Sequence, residues 1–398
     1  MSRAPNEWEA AHLRPIPTSG IRDMVDEADR LEREGGDVIH LEIGQPDFVT
    51  PAHIRAAATA ALEAGMTGYP TNLGVAELRR AIADKLKADN GIAADWEQEI
   101  LVTAGAMEAV YLAVMAFLEP GDKVVVPMPS WPNYINAPVI AGAQLVPVRL
   151  DPDDDFQIDI DHLASVAPGA KMVIVVTPHN PTGAVQRAET LAEVSRIAAE
   201  HDLLVVSDEI YEKMLYEDAE HLSLAALDGM ADRTITVNGL SKGYAMTGWR
   251  IGYAHARPAL IGAMRKLHQY ITGTVSHFGQ WAAAEALRGD QSSVVAMVSE
   301  FARRRELVLL RLEEMPGIAP NRPKGAFYVF PRVSELGMSS RELAMHVLRQ
   351  AHVALLPGTV FGPLGEGFVR VSYANSYENL ERAMDRLADV LGNIAAAR

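Results

Sequence analysis

The sequence contains no cysteine among its 398 residues. Disulfide bonds and thiolate metal sites are therefore excluded, and a reducing compartment is permitted without being required. The chain also lacks an excess of positive charge, since 36 Lys and Arg residues stand against 52 Asp and Glu residues, for a formal net charge of −16. This balance argues against nucleic acid or an anionic membrane surface as a partner.

Long hydrophobic runs are missing as well. No apolar stretch approaches the roughly 20 residues that a membrane-spanning helix needs. The first residues, MSRAPNEWEAAHLRP, lack the apolar core of a secretory signal. We therefore expect a cytoplasmic protein without a membrane segment. What is present is an ordinary globular composition, 48% hydrophobic and 22% charged, in a chain long enough for two domains.

Short apolar runs, most of them rich in Val and Ile, alternate with helical patterns over the first 290 residues. This alternation predicts an α/β fold with a mostly parallel sheet flanked by helices. Beyond that point long helices and a few strands predict a smaller α+β domain. The predicted strands are 100–103, 123–126, 144–148, 172–177, 203–206, 234–237, 251–254, 326–330 and 368–373. The predicted helices are 20–35, 53–65, 74–89, 105–118, 187–201, 293–315, 339–351 and 377–396.

Polar or small residues follow several predicted strands, and ligands bind beyond the carboxyl ends of strands in open parallel sheets. Residues 104–107 (AGAM) open a helix, where backbone N–H groups can approach a phosphate; a purely structural turn fits equally well. Asn180 lies between two prolines in a rigid turn that presents its amide, or that merely ends a strand. Its neighbour His179 is more typical of a turn histidine than of a catalyst.

Charged residues follow the next two strands. Asp208 and Tyr211 follow 203–206, and a carboxylate there is either a helix N-cap or the counter-charge of a cationic ligand atom. Ser241, Lys242 and Arg250 follow 234–237. A partly buried lysine has a lowered pKa and can act as a nucleophilic amine, whereas a solvated loop cation is the alternative.

Taken together, these groups are those that pyridoxal 5′-phosphate requires. Its aldehyde needs a lysine, and its pyridine nitrogen needs a carboxylate that keeps the ring protonated and electron-accepting. Its phosphate needs a helix N-terminus and an arginine. No metal site is expected.

The chain resembles the fold-type I pyridoxal-phosphate enzymes, specifically the class I/II aminotransferases of the aspartate aminotransferase superfamily. The resemblance extends from GQPDF (44–48) through NPTG (180–183), SDEIY (207–211) and SKGYAMTGWRIGY (241–253) to RVSYA (370–374). It implies a large pyridoxal-phosphate-binding domain over 49–290 and a small domain built from 1–48 and 291–398. It further implies a homodimer with shared active sites.

The resemblance also implies roles for individual residues. Lys242, Asp208 and Tyr211 would be catalytic: Lys242 bonds to the cofactor and moves the substrate α-proton, Asp208 pairs with the pyridine nitrogen, and Tyr211 hydrogen-bonds the ring's 3-oxygen together with Asn180. Trp131 would stack on the ring. The phosphate would be bound by Gly105, Ala106, Met107, Ser241, Arg250 and, across the dimer interface, Tyr69. The substrate would be bound by Arg370 at its α-carboxylate, with Gly44, Trp131 and Asn180 alongside.

Two features depart from the family pattern. Met107 stands where many relatives carry lysine or threonine, so one side-chain contact to the phosphate is expected to be absent. The segment 272–278 (TGTVSHF), which in relatives contributes to the neighbouring subunit's site, is shorter and unusual. Thr274 and His277 are candidates for reading the substrate side chain, with a helix cap as the alternative.

The predicted reaction is ping-pong transamination between an L-amino acid of aspartate, alanine or aromatic type and a 2-oxo acid. A pyridoxal-phosphate lyase, decarboxylase or cyclase of secondary metabolism would use the same residues. A pyridoxal-phosphate-binding regulator would carry an N-terminal DNA-binding module, and fewer than 50 residues precede Gly44. A nicotinamide enzyme would need G-x-G-x-x-G where this chain reads GAMEAV.

Overall fold

The computed structural model describes residues 8–10, 12–16 and 20–396. In these residues the helices are α1 (Gly20–Arg33), α2 (Ala52–Glu63), α3 (Ala76–Asn90), α4 (Ala106–Phe117), α5 (Pro132–Ile140), α6 (Ile160–Val166), α7 (Ala188–Glu200), α8 (Pro258–Ile271), α9 (His277–Arg288), α10 (Ser292–Glu313), α11 (Ser340–Ala351) and α12 (Tyr377–Ala396). The strands are β1 (Ile39–His40), β2 (Ile100–Thr103), β3 (Lys123–Met128), β4 (Gln144–Asp151), β5 (Gln157–Ile158), β6 (Met172–Val176), β7 (Leu204–Asp208), β8 (Thr234–Gly239), β9 (Gly252–His255), β10 (Tyr328–Val329), β11 (Val353–Ala354), β12 (Leu356–Pro357) and β13 (Val369–Ser372). No helix among the described residues is long and apolar enough to cross a membrane.

The large sheet has the strand order β2-β9-β8-β7-β6-β3-β4-β5. Five consecutive strands of this sheet run parallel to one another, in the order β8, β7, β6, β3 and β4. Every residue of β6, with sequence MVIVV, is buried, as expected for a parallel strand covered on both faces. The predicted α/β fold with a mostly parallel sheet is confirmed.

Strand β9 runs antiparallel to both of its neighbours, β8 and β2. Its first residue, Gly252, therefore pairs with Gly239, the last residue of β8. Arg250, just before β9, returns to the edge of the sheet at which Ser241 leaves it. A single loop thus brings two of the predicted phosphate ligands to the carboxyl ends of the parallel strands.

The small lobe contains the antiparallel sheet β10-β13-β12 and the long helices α10 and α12. Its core includes Phe301, Phe327 and Tyr373, all fully buried. Strand β1 pairs in parallel with β11, which attaches the N-terminal segment to this lobe. This pairing supports a small domain that includes residues before 49, and its boundaries remain a prediction.

Several elements were not predicted from the sequence. Helices α5 and α8 begin at Pro132 and Pro258. Proline is favoured in the first turn of a helix, since no intrahelical acceptor exists there for its missing N–H. The sequence prediction also missed helices α6 and α9 and the two-residue strands β1, β5, β11 and β12. The helix predicted at 20–35 ends at Arg33, and part of the N-terminal segment lies outside the described residues.

Candidate active site

A cavity of about 380 Å³ lies at the carboxyl edge of the large sheet. Residues of helix α1 and of the small lobe also line it. Most of the predicted site residues line it. These are Gly44, Ala106, Met107, Trp131, Asn180, Asp208, Tyr211, Ser241, Lys242, Arg250 and Arg370.

Lys242 follows β8 and extends into the cavity. Its Nζ donates a 2.6 Å hydrogen bond to the carbonyl oxygen of Gly44. Burial lowers the pKa of Lys242 to about 8, and the positive charges of Arg370 and Arg250 add to this effect. A neutral, nucleophilic amine is therefore accessible near neutral pH.

Asp208 is the last residue of β7 and is almost completely buried. Its Oδ2 accepts a 2.6 Å hydrogen bond from the phenol of Tyr134, and its Oδ1 accepts one of 3.0 Å from the N–H of Ile210. Burial raises the pKa of Asp208 to about 6, against the opposing effect of the Tyr134 hydrogen bond. The chain forms turns after Asp208, so the helix N-cap interpretation is wrong. The carboxylate is placed to receive a cationic ligand atom.

Arg370, in β13, is 3% exposed and does not face solvent. Its Nη1 donates a 3.0 Å hydrogen bond to Oδ1 of Asn180, and its Nη2 donates to the carbonyl of Glu42. The guanidinium also lies 4.4 Å from the ring centroid of Tyr328. Within the described residues its Nε has no hydrogen-bond partner. A buried guanidinium with only neutral partners is suited to bind a carboxylate.

Two tyrosines complete this side of the cavity. The hydroxyl groups of Tyr211 and Tyr328 share a hydrogen bond of 2.9 Å. Both side chains are buried, and burial raises the pKa of each phenol. Both therefore remain neutral hydroxyl groups that can donate or accept a hydrogen bond. Trp131 also lines the cavity, and the centroid of its ring lies 5.4 Å from that of Tyr134.

The other side of the cavity is suited to an anion. The first-turn N–H groups of α4, including those of Ala106 and Met107, have no acceptor within the helix and carry the positive end of its dipole. Gly105 has φ +78°, and a Cβ there would lie 2.5 Å from Nη2 of Arg250. Arg250 therefore packs directly on the turn that begins the helix. Backbone N–H groups, an arginine and the hydroxyl of Ser241 together form a site that fits a phosphate.

Some predicted residues do not reach the cavity. Tyr69 is 96% exposed on the surface. His277 donates from Nδ1 to the carbonyl of Gly68, 3.1 Å away, so it lies beside Tyr69, and Thr274 is likewise not part of the lining. His179 is buried, forms a 2.8 Å hydrogen bond with Thr182, and has a pKa lowered by burial to about 3. It belongs to the turn.

The sequence prediction missed residues that do line the cavity. Tyr134 lies three positions after Trp131 on helix α5, a spacing that would have indicated a shared helix face had the helix been predicted. Tyr328 lay in a predicted strand and carried no signal of its own. The apolar side chains of Ile21, Val25 and Ile43 also line the cavity.

The sequence profile described as aminotransferase class I and II matches residues 36–387. The chain belongs to this family. Class I and II aminotransferases depend on pyridoxal phosphate, and the buried acid, the lysine and the anion site fit that cofactor.

Relatives in the family differ in the amino acid for which they are named. The chain is 46% identical to an aspartate aminotransferase of Pyrococcus abyssi over 94% of this chain and 96% of that one. It is 42% identical to aromatic-amino-acid aminotransferase 2 of Thermococcus litoralis, over 95% and 97%. The solved alanine aminotransferase of Pyrococcus furiosus superposes with a TM-score of 0.92 at 36% identity, covering 97% of this chain and all 100% of that one. The protein is therefore an aminotransferase whose substrate is left open by its relatives.

Proposed function

We propose that this aminotransferase binds pyridoxal phosphate in the cavity, with Lys242 supplying the amine that attaches to its aldehyde. The cofactor supplies an electron-accepting ring that stabilises negative charge at the substrate Cα. The observation that carries this proposal is the convergence of Lys242, Asp208 and the N-terminus of α4 on one cavity. Each supplies a different group that the cofactor needs.

The chain's own residues then have distinct tasks. Asp208 would hold the pyridine nitrogen in its protonated form, while Asn180 and Tyr211 would hydrogen-bond the ring's 3-oxygen. Lys242, as a free amine, would remove the proton from the substrate Cα and deliver it to the former aldehyde carbon of the cofactor. Arg370 holds the α-carboxylate and so fixes which substrate atom faces Lys242.

The phosphate site is completed by a second copy of the chain. Tyr69 is exposed, as are Tyr270 and Ile271, and exposed aromatic and aliphatic side chains of this size favour a protein interface. In the proposed homodimer Tyr69 of each subunit reaches the phosphate in the other subunit's site. We also place the enzyme in the cytoplasm, with amino acids and 2-oxo acids as its small-molecule partners.

The cavity favours an amino donor with an apolar or aromatic side chain. The three cations that line it, Arg250, Lys242 and Arg370, are assigned to the phosphate, the reaction and the α-carboxylate. A second substrate carboxylate would therefore have no cation among the described residues that line the cavity. Ile21 and Val25, four residues apart on one face of α1, present apolar surface instead.

Incubation with an amino donor alone tests the reaction type. We expect the cofactor absorbance to convert to that of the pyridoxamine form, because transamination stops there without a 2-oxo acid. A lyase would not accumulate this form.

Lys242→Ala should retain cofactor non-covalently and lose nearly all turnover. The control is Lys171→Ala, which removes a surface partner of Asp122 and should behave like the parent. A fully active Lys242→Ala enzyme would show that the assignment is wrong.

A further inference from the structure

A buried polar cluster lies behind the anion-binding turn and is not part of the cavity described above. We call it the Glu108 cluster. It consists of Glu108 of α4, His268 of α8 and Thr272, which follows the last residue of α8. Oε1 of Glu108 accepts hydrogen bonds from Nδ1 of His268 at 2.8 Å and from the hydroxyl of Thr272 at 2.5 Å. His268 is fully buried, and the Glu108 side chain is 8% exposed.

The other oxygen of Glu108 reaches back to the turn. Oε2 accepts a 2.5 Å hydrogen bond from the N–H of Ala104, the residue before Gly105. Since Glu108 lies in the first turn of α4, its carboxylate ties the start of the helix to the chain that enters it. This contact fixes the direction in which the next N–H groups, those of Ala106 and Met107, point.

A negative charge at this position needs a specific reason. It lies beside a site built for an anion, and like charges close together are unfavourable. Burial alone would raise the pKa of Glu108, but hydrogen bonds from His268, Thr272 and Ala104 outweigh it and lower the pKa. The carboxylate is therefore held ionised by its partners, and its value to the site is the backbone geometry that it maintains.

Met107 makes that geometry more important. Its thioether cannot donate a hydrogen bond, so the contribution of this turn to phosphate binding rests on backbone N–H groups. A shift of the turn would weaken these contacts, and no side chain of the turn itself could replace them.

We propose that Glu108 is a positioning residue for the cofactor phosphate, and that His268 and Thr272 hold it in place from α8. The inference rests on the proposed use of pyridoxal phosphate. It also gives Thr272, the first residue of the unusual segment 272–278, a function within its own subunit.

The proposal can be tested by measuring how cofactor-free enzyme binds pyridoxal phosphate and pyridoxal, which lacks the phosphate. A role in positioning the phosphate affects only the first ligand, whereas a merely structural role affects both. We expect Glu108→Ala to weaken pyridoxal phosphate binding about tenfold, as for loss of a charge-assisted hydrogen bond, and to leave pyridoxal binding within about twofold. Glu108→Gln keeps an oxygen acceptor for the Ala104 N–H and should lie within about threefold of the parent for both ligands. Glu193→Ala, on the exposed face of α7, is the control.

Thr272→Val tests the cluster without touching the turn itself, and it serves if Glu108→Ala does not fold. We expect it to weaken pyridoxal phosphate binding about threefold, with pyridoxal unchanged. Equal weakening of both ligands would assign the cluster a merely structural role, and tighter phosphate-ligand binding by Glu108→Ala would show that charge repulsion dominates; either result overturns the inference. If the parent enzyme bound neither ligand, the proposed function would be overturned instead.

Discussion

The phenol of Tyr134 donates a 2.6 Å hydrogen bond to Oδ2 of Asp208, and both groups are buried. Tyr134 belongs to α5 and Asp208 to β7, so the contact joins two elements that are far apart in sequence. It favours the ionised form of a carboxylate that burial would otherwise protonate. The charge state of the site thus depends on a residue outside every recognised motif.

The cofactor-free protein should lose stability as the pH rises through this titration. Burial raises the folded-state pKa of Asp208 to about 6, above the ordinary value of 3.8 for this side chain. Because the pKa is raised, the folded state binds the proton more tightly than the unfolded state does. The resulting contribution to the free energy of unfolding is fully present below pH 3.8 and is lost as the pH rises through about 6. The difference between these two pKa values corresponds to roughly 3 kcal/mol in the free energy of unfolding.

Urea unfolding at a series of pH values measures this effect. Asp208→Asn should remove most of the pH dependence between the two pKa values. Tyr134→Phe should extend the loss of stability to higher pH, because the hydrogen bond that lowers the Asp208 pKa is gone. Identical profiles for the parent and Asp208→Asn would contradict the prediction.

The rate at which cofactor attaches to the cofactor-free enzyme should rise with pH through about 8, the pKa of Lys242. Only the neutral amine reacts, and its fraction grows as the pH passes the pKa. Arg370→Gln removes a positive charge that lowers this pKa, so the rising limb should move to higher pH. Stopped-flow absorbance follows the reaction, with Arg332→Gln, at an exposed ion pair with Asp153, as the control. An unmoved profile in Arg370→Gln would contradict the electrostatic account.

The apolar wall of the cavity should determine the choice of donor. We expect phenylalanine or leucine to exceed aspartate in kcat/KM for the half-reaction by about tenfold or more, as for a side chain in an apolar pocket without a counter-charge. Ile21→Ala and Val25→Ala should each lower kcat/KM for phenylalanine and leave that for alanine nearly unchanged. Val295→Ala, at an exposed position of α10, is the matched control. An enzyme that uses aspartate as well as phenylalanine would contradict this assignment.

Mixed dimers should reveal a shared site. Lys242→Ala dimers lack the reacting amine in both sites, and Tyr69→Ala dimers lack the exposed tyrosine in both. A hybrid dimer would contain one site with both residues intact, so mixing and re-forming the two inactive or weakened variants should restore activity. The kinetic gain on mixing is the measurement. In the control, Leu310→Ala, at an exposed position of α10, replaces Tyr69→Ala. No gain with Tyr69→Ala would place Tyr69 outside the partner's site.

The sequence predicted those parts of the fold and site that depend on local pattern. Apolar strands such as 172–176 are recognisable because a strand buried on both faces needs no polar residue. Lys242, Asp208 and Arg370 are recognisable because their motifs are continuous in the chain. The same local signals predicted nothing about helices that begin with proline.

The missed contacts have a common physical cause. Tyr134, Tyr328 and Ile21 reach the cavity from three segments whose relative positions are set by tertiary packing. A tyrosine or isoleucine in such a segment looks like any core residue until the segments are brought together. The position of Glu108 beside α8 could not be predicted for the same reason, since its partners lie in a helix that the sequence did not reveal.

The reversed direction of β9 has a consequence for how the protein can change. Lys242 and Arg250 lie on one loop between β8 and β9. The distance between the proposed attachment point of the cofactor and the proposed phosphate arginine therefore depends on the length of that loop. An insertion or deletion there would displace one anchor relative to the other, whereas substitutions in α1 leave both in place. The length of the β8–β9 loop is therefore constrained. Ile21 and Val25 of the cavity wall can vary, so substrate preference can change while the proposed cofactor site stays the same.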